Sequence, residues 1–537
     1  MTHLCRLAAL VAVVAVPSLA AQAHEHAHTE QLGRVTFPVS CNAEAQQRFE
    51  HAMGLLHSFW WEQGVGAFRD VAAADSTCAM AYWGSAMNAW GNPFGGGPSG
   101  QTLAAAARAA ERAAAMPAKT PRERGFIAAV GALYRNHGSL SNVQRLRAYS
   151  DTMARVYRDN PGDVEVAIYY ALSLVATAAA TDTTFARQKQ AAAILNPLFQ
   201  RFPQHPGLAH YIIHANDSPR LASLGLDAAR RYAQIAPSAP HAQHMPSHIF
   251  IRLGLWEDDI ASNQRAYDAG LAYAKSQGLE GVYYHEFHAL DYMVYGYLQL
   301  GRDVDARRLA ALADSLNQVD AQGPFITSYN RLALGARVAL ELNDWSAAVR
   351  LPLTPAAPAT LGAVTRFARG IGAARSGDTA QARAEAAAML ELEAAAVNGP
   401  QGAYWSRVVG IKRRAVEAWL AFATHDTARA LRLAKEAADL EDQTEKHPVT
   451  PGEILPAREL YADLLLELGR PADAQAAYEA TLQREPNRAR SLYGAARAAE
   501  LAGDRTAARQ RYDQFLAQMK AANGERPEIT RARRSLR

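Results

Sequence analysis

The chain has 537 residues, of which 49% are apolar and 20% charged, and its formal net charge is +4. That length exceeds one ordinary core, so several domains or an open-ended array are expected. So small a net charge makes no electrostatic case for nucleic acid or a membrane surface as a partner.

The first residues read as a secretion signal over 1–23. MTHLCR supplies one positive charge, LAALVAVVAVPSLA is apolar but too short to span a bilayer, and AQA offers small residues for cleavage after Ala23. No later apolar run is long enough to cross a bilayer, so no integral membrane segment is expected after cleavage, and the protein is placed in the periplasm or outside the cell. The segment 24–40 opens with HEHAHTE. A free amine on His24 with His26 at the third position is a square-planar copper or nickel arrangement, and His28 extends the tract. An unstructured linker is the competing reading. Cys5 leaves with the signal. Cys41 and Cys78 remain, an even pair in an oxidising compartment, and are expected to form a disulfide; two buried thiols are the alternative.

His51 and His57, in FEHAMGLLHSFWWEQG, are flanked by aromatics and are expected to pack in the first layer, as are Trp60, Trp61, Tyr82, Trp83 and Trp90. WGNPFGGGPSG, 90–100, lacks the Gly-Lys-Ser/Thr ending of a phosphate-cradling loop and reads as a flexible loop. HYIIHANDSP, 210–219, and HMPSHIFIRL, 244–253, then repeat one H-x3-H spacing 34 residues apart. LPLTPAAPATLGA, 351–363, has three prolines and is expected to break or bend the chain. No stretch sustains period-two alternation, so the chain reads as all-α.

Toward the C-terminus the same 34-residue period becomes plain. It separates Gly469 from Gly503, Ala474 from Ala508, and Tyr478 from Tyr512. A turn glycine, a small residue five later and an aromatic four beyond describe two packed helices: the small residue lets them approach, and the aromatic fills the space between layers. The grammar recurs upstream at Gly254, at Gly301 with Ala306, at Asn343 with Ala348, and at Gly377 with Ala382, while Pro203 and Pro237 share the period. In these features the chain resembles the tetratricopeptide repeat (TPR) family, and its histidine-bearing stretches resemble a subgroup of long exported bacterial TPR proteins. The resemblance implies a right-handed superhelix of antiparallel helix pairs. It is divided here into a solenoid over 41–350, the proline-bearing break at 351–363, a second solenoid over 364–520, and a basic tail, 521–537, expected to be frayed.

The resemblance also implies where the histidines look. With the turn glycine at repeat position 15, His241, His244 and His248 fall at positions 2, 5 and 9. His210 and His214 fall at 5 and 9 of the preceding repeat, and His288 and Asp291 at 2 and 5 of the following one. In TPR proteins those positions line the concave groove, so seven potential ligands would face one hollow. Histidines four apart on a helix lie on one face, and neighbouring helices pack about 8–10 Å apart. Imidazoles so placed can reach one ion at about 2.1 Å. Imidazole with one carboxylate suits zinc, copper, iron or nickel. His285 is expected to point elsewhere, and Glu286 sits on the adjoining face.

Histidine is no part of the repeat consensus, so duplication alone does not supply this set. A metal site, a metal-free groove for a peptide or small ligand, and plain packing all remain as readings. The peptide-clamping TPR proteins use lysine, asparagine and arginine at the slots that here hold His244, His248 and Asp291, so capture of a peptide carboxylate is not implied. Two function classes follow. One is an exported scaffold whose groove carries a transition-metal site and engages a protein, peptide or small ligand. The other is a metal-dependent periplasmic enzyme, against which stands the absence of G-x-S-x-G and of any H-E-x-x-H beyond the HEHAH of the tail at 24–28.

Overall fold

Helix follows helix from Ala43 to Ser535, and among the described residues no strand is formed. The computed structural model describes residues 30–179, 181–279, 282–316, 324–354, 357–399 and 401–537; the signal and His24, His26 and His28 lie outside them. No helix among the described residues is long and apolar enough to cross a membrane.

Successive helices pack as pairs, as in Ala359–Ser376 with Thr379–Ala396, Ala457–Glu467 with Pro471–Arg484, and Ala489–Ala502 with Arg505–Gln518. The turns follow from residue type. Gly254, Gly301, Gly377, Gly469 and Gly503 have φ of 66°, 68°, 82°, 68° and 84°, and Asn343 has 55°. That left-handed region favours glycine and tolerates asparagine, and it ends one helix so that the next can fold back. Ala306, Ala348, Ala382, Ala474 and Ala508 are all buried at the helix contacts, and Tyr478 and Tyr512 are buried between layers. The fold is of the TPR type.

The disulfide is present. Cys41 and Cys78 are joined with their Cα atoms 5.1 Å apart, closing a span of 37 residues near the chain's start.

Two expectations give way. The basic tail is ordered: Pro527–Ser535 is a helix with Ile529 and Ala532 buried, and Arg526 Nε donates to Asp303 Oδ2 at 2.8 Å. An apolar face and a paired arginine hold what charge alone would have frayed. Nor is the concave side open at the histidine layers. The connection between Thr427–Asp442 and Ala457–Glu467 enters it, with Tyr292 Oη donating to Pro448 O at 3.2 Å and Arg337 Nη1 to Glu453 O at 3.1 Å. The last repeats return to the middle of the chain as well, where Trp256 Nε1 donates to Asn487 O at 2.9 Å and Gln518 Nε2 to Gln299 O at 2.7 Å.

Candidate metal centre

Two prolines set the register of the histidines. Pro206 and Pro240 each stand in the first turn of a helix, where a missing N–H costs nothing. Each histidine pair therefore starts from the same phase of its helix. Pro246 divides the second helix into Pro240–His244 and Pro246–Leu253, yet Met245 keeps helical dihedrals, so His244 and His248 still share a face. His288 arrives on the neighbouring helix Tyr284–Gln299.

The structure brings six of the seven predicted residues together, as two triads instead of one set. His244, His248 and His288 form one triad, and His210, His214 and His241 the other; within each, the ligand atoms lie within 4.8 Å of one another. In the first, His244 Nε2 and His248 Nε2 are 3.1 Å apart. In the second, His210 Nε2 is 3.1 Å from His214 Nε2 and 3.2 Å from His241 Nε2. Ligand atoms at the corners of a tetrahedron with bonds of about 2.1 Å would be about 3.4 Å apart, so these groups could hold a metal ion, although the same spacings also fit N–H···N hydrogen bonds.

The outer nitrogens are fastened. His244 Nδ1 donates to Asn263 Oδ1 at 2.7 Å, and the Asn263 amide is oriented by its own donation to Asp259. His248 Nδ1 donates to Asp217 Oδ2 at 2.9 Å, and His210 Nδ1 to the His57 carbonyl at 2.6 Å. A proton committed to Nδ1 leaves Nε2 as a bare lone pair, which is how metal-ligating histidines are held. His288 differs: its Nδ1 accepts from Asn330 Nδ2 at 3.3 Å, so its Nδ1 proton is not committed in the same way. Burial pulls the imidazoles down, His210 to about 3 and His214, His241, His244 and His288 well below the ordinary range, so all are neutral at pH 7. Burial opposes the charge of Asp217, but Lys446 and Arg252 beside it keep it ionised.

Asp291 does not join the histidines. One turn beyond His288, it is fully buried against Arg337, whose Nε donates to Oδ1 at 3.0 Å. Both of its oxygens face the guanidinium, Oδ2 accepting from Arg337 Nη2 at 3.4 Å, and it is absent from the clustered ligand groups. His285, expected to point away, is buried with its ring 5.6 Å from that of His241 and its Nε2 without a hydrogen-bond partner. Its i, i+3 spacing from His288 was the available signal. Glu286 stays apart and is buried; its Oε1 accepts from the Tyr283 N–H.

Aromatic rings from the N-terminal segment lie against the triad of His210, His214 and His241. The ring of Phe59 lies 4.4 Å from His210 and that of Phe94, on the glycine-rich loop, 4.2 Å from His214. That loop is fastened to the distant C-terminal half, where Gln401 Nε2 donates to Phe94 O at 3.0 Å. His214 and His241 remain half-buried, whereas His244, His248 and His288 are buried.

A third cluster was missed. His57, expected only to pack, is fully buried, and its Nε2 donates to Glu165 Oε2 at 3.0 Å; His205 Nε2 donates to Glu165 Oε1 at 2.9 Å. Three separate helices or their caps contribute these groups, and no local spacing announces them. His51 lies 3.3 Å from Glu30 at the chain's beginning. Lys446 was also missed: its side chain is enclosed with Nζ 3.9 Å from Asp217, and burial lowers it to about 8.

No family model matches the chain, and no curated protein matches it. Among solved structures it is similar to the human IFIT1 dimer with PPP-AAAA, at 10% identity and a TM-score of 0.39, covering 79% of this chain and 87% of that one. Yeast Tom70 is similar at 10% identity and a TM-score of 0.34, over 91% and 95% of the two chains. The P58(IPK) TPR domain is similar at 13% identity and a TM-score of 0.21, over 86% and 99%.

Proposed function

We propose that this chain is an exported TPR-type protein that holds transition-metal ions in its histidine cavity and engages a protein or peptide ligand on its repeat surface. One observation carries the metal reading. His244 and His248 each commit their Nδ1 proton elsewhere, yet their Nε2 atoms face each other at 3.1 Å. Two bare lone pairs at that distance repel, and a cation between them removes the repulsion. Tyr292 Oη, 3.4 Å from His248 Nε2, is nearer to the Pro448 carbonyl at 3.2 Å and does not fill the gap. Three imidazoles leave a fourth position open, which suits zinc, copper, iron or nickel.

Export is supported by the signal-like 1–23 and by the Cys41–Cys78 bond, which belongs to an oxidising compartment. A peptide ligand finds room away from the histidines, in a cavity of about 770 Å³ lined in part by Trp345, Arg375, Arg490, Tyr493 and Arg526. Elemental analysis of protein purified from the periplasm tests the metal reading. The expected result is stoichiometric metal, lost in His244→Ala/His248→Ala; wild-type protein that stays metal-free after loading with each candidate ion sinks it. A second reading, a metal-dependent enzyme, is favoured by the half-buried His214 and His241, which give one triad a face toward solvent.

A further inference from the structure

The two triads adjoin. His214 lies 6.2 Å from His248, ring centre to ring centre, and His241 lies 6.1 Å from His244. Within a single triad His248 and His288 are 6.4 Å apart. Other ring pairs within a triad are 4.3–5.0 Å apart, so the triads are distinct but adjoin, and ions held by both would be near enough to share a small ligand between them.

Charge then selects the ion. The six ligands are neutral imidazoles with no carboxylate among them. Beside His248 the charged groups balance, Asp217 and Glu445 against Arg252 and Lys446. A pair of divalent ions would bring four uncompensated positive charges into this buried place, and a pair of monovalent ions only two. Among metals that favour imidazole, copper alone is stable as a monovalent ion in this ligand set. The half-buried face toward His214 and His241 is framed by Phe59 and Phe94, with Trp61 stacked 5.0 Å from Phe59. Apolar rings admit a small uncharged molecule more readily than a hydrated anion.

We propose that the six histidines form one dinuclear copper centre that binds dioxygen, an assignment that rests on the metal reading above. In the binding step each Cu(I) gives one electron, so two Cu(I) become two Cu(II) and dioxygen becomes a bridging peroxide. The two copper–oxygen bonds form at the expense of the O–O π bond, and no proton or outside reductant is needed. His285, unpartnered at Nε2 beside His241, and Tyr292, its Oη 3.4 Å from His248 Nε2, are further polar groups beside the triads.

The experiment loads the full-length mature protein anaerobically with Cu(I), counts the copper, and then admits dioxygen. Two coppers per chain, uptake of one dioxygen per two coppers, a new intense charge-transfer absorption and no Cu(II) paramagnetic signal are expected. The variant His214→Ala, at the half-buried edge, should keep one copper and lose the absorption entirely; if it does not fold by circular dichroism, His241→Ala takes its place. One copper per wild-type chain, or two that oxidise to separate paramagnetic ions, overturns the dinuclear assignment. Occupancy of both triads by zinc with no Cu(I) uptake overturns it too, and leaves the metal reading standing. Protein that takes up no metal of any kind overturns both.

Discussion

Asp217 Oδ2 accepts the Nδ1 proton of His248 at 2.9 Å, while its Oδ1 accepts from Arg252 Nε at the same distance. This carboxylate fixes the tautomer that turns His248 Nε2 toward the cavity. Asp217→Asn should weaken metal binding by about 10–100-fold, the usual cost of losing such a support. Competition against a chelator measures it, and unchanged affinity would count against the assigned tautomer.

Asp291 and Arg337 are both fully buried and bonded to each other. Asp291→Asn leaves a buried guanidinium without its counter-charge and should cost about 3–5 kcal/mol in denaturant unfolding. Metal content should be unaltered, since Asp291 is not among the clustered ligands. A variant of normal stability that loses metal reverses this assignment.

Glu286 is buried with Oε2 unpartnered, and burial raises its carboxyl from 4.5 to about 7. The native state therefore holds this proton more tightly than the unfolded chain does. Its contribution is fully present below the unfolded value and is lost as pH rises from about 4.5 through about 7. Glu286→Gln should flatten the fall in melting temperature across that window and keep the bond from Tyr283 N. Wild-type and variant melting curves that run parallel in pH would refute the idea.

Gly254 and Gly377 end helices with similar left-handed φ but different surroundings. A Cβ on Gly254 would sit 2.2 Å from Pro486 O, whereas one on Gly377 meets nothing within 4 Å. Gly377→Ala should cost only the backbone strain, about 1–2 kcal/mol. Gly254→Ala should cost distinctly more, because the returning C-terminal repeats must shift. Equal losses in paired unfolding curves would show that this contact bears no weight.

The Cys41–Cys78 bond closes a 37-residue span that contains two helices packed on each other, Ala43–His57 and Trp61–Ala74. Cys41→Ser/Cys78→Ser should lower stability by about 2–5 kcal/mol. Calorimetry of oxidised wild type against the double variant reads the difference directly.

Much of the architecture was legible because a repeat announces itself through a few obligatory slots. Gly469, Ala474 and Tyr478 each answer a local steric demand, so their period survives in the letters. The histidine triads were legible for a related reason, since Pro206 and Pro240 start two helices in one phase and carry the pairs with them. Asp291 was misplaced because its partner, Arg337, is 46 residues away and belongs to no motif. Helical register put the carboxylate near the cavity, and a buried cation then claimed it. Glu165, His57 and His205 escaped for the same reason: their meeting is decided by how distant layers stack. The frayed tail and the open groove were errors of another kind. Both assumed that a solenoid stays extended, and the segment around Lys446 and the Arg526–Asp303 pair have no counterpart in the repeat grammar.

The pair Arg526–Asp303 joins residues 223 positions apart. An ordinary helical solenoid is held only by next-door neighbours and can melt from either end like a row of dominoes. Here the far end is tied back to the centre, which turns the row into a hoop. Loosening its last dozen residues should be felt first at Asp303 and at Leu298, near the end of the helix that carries His288.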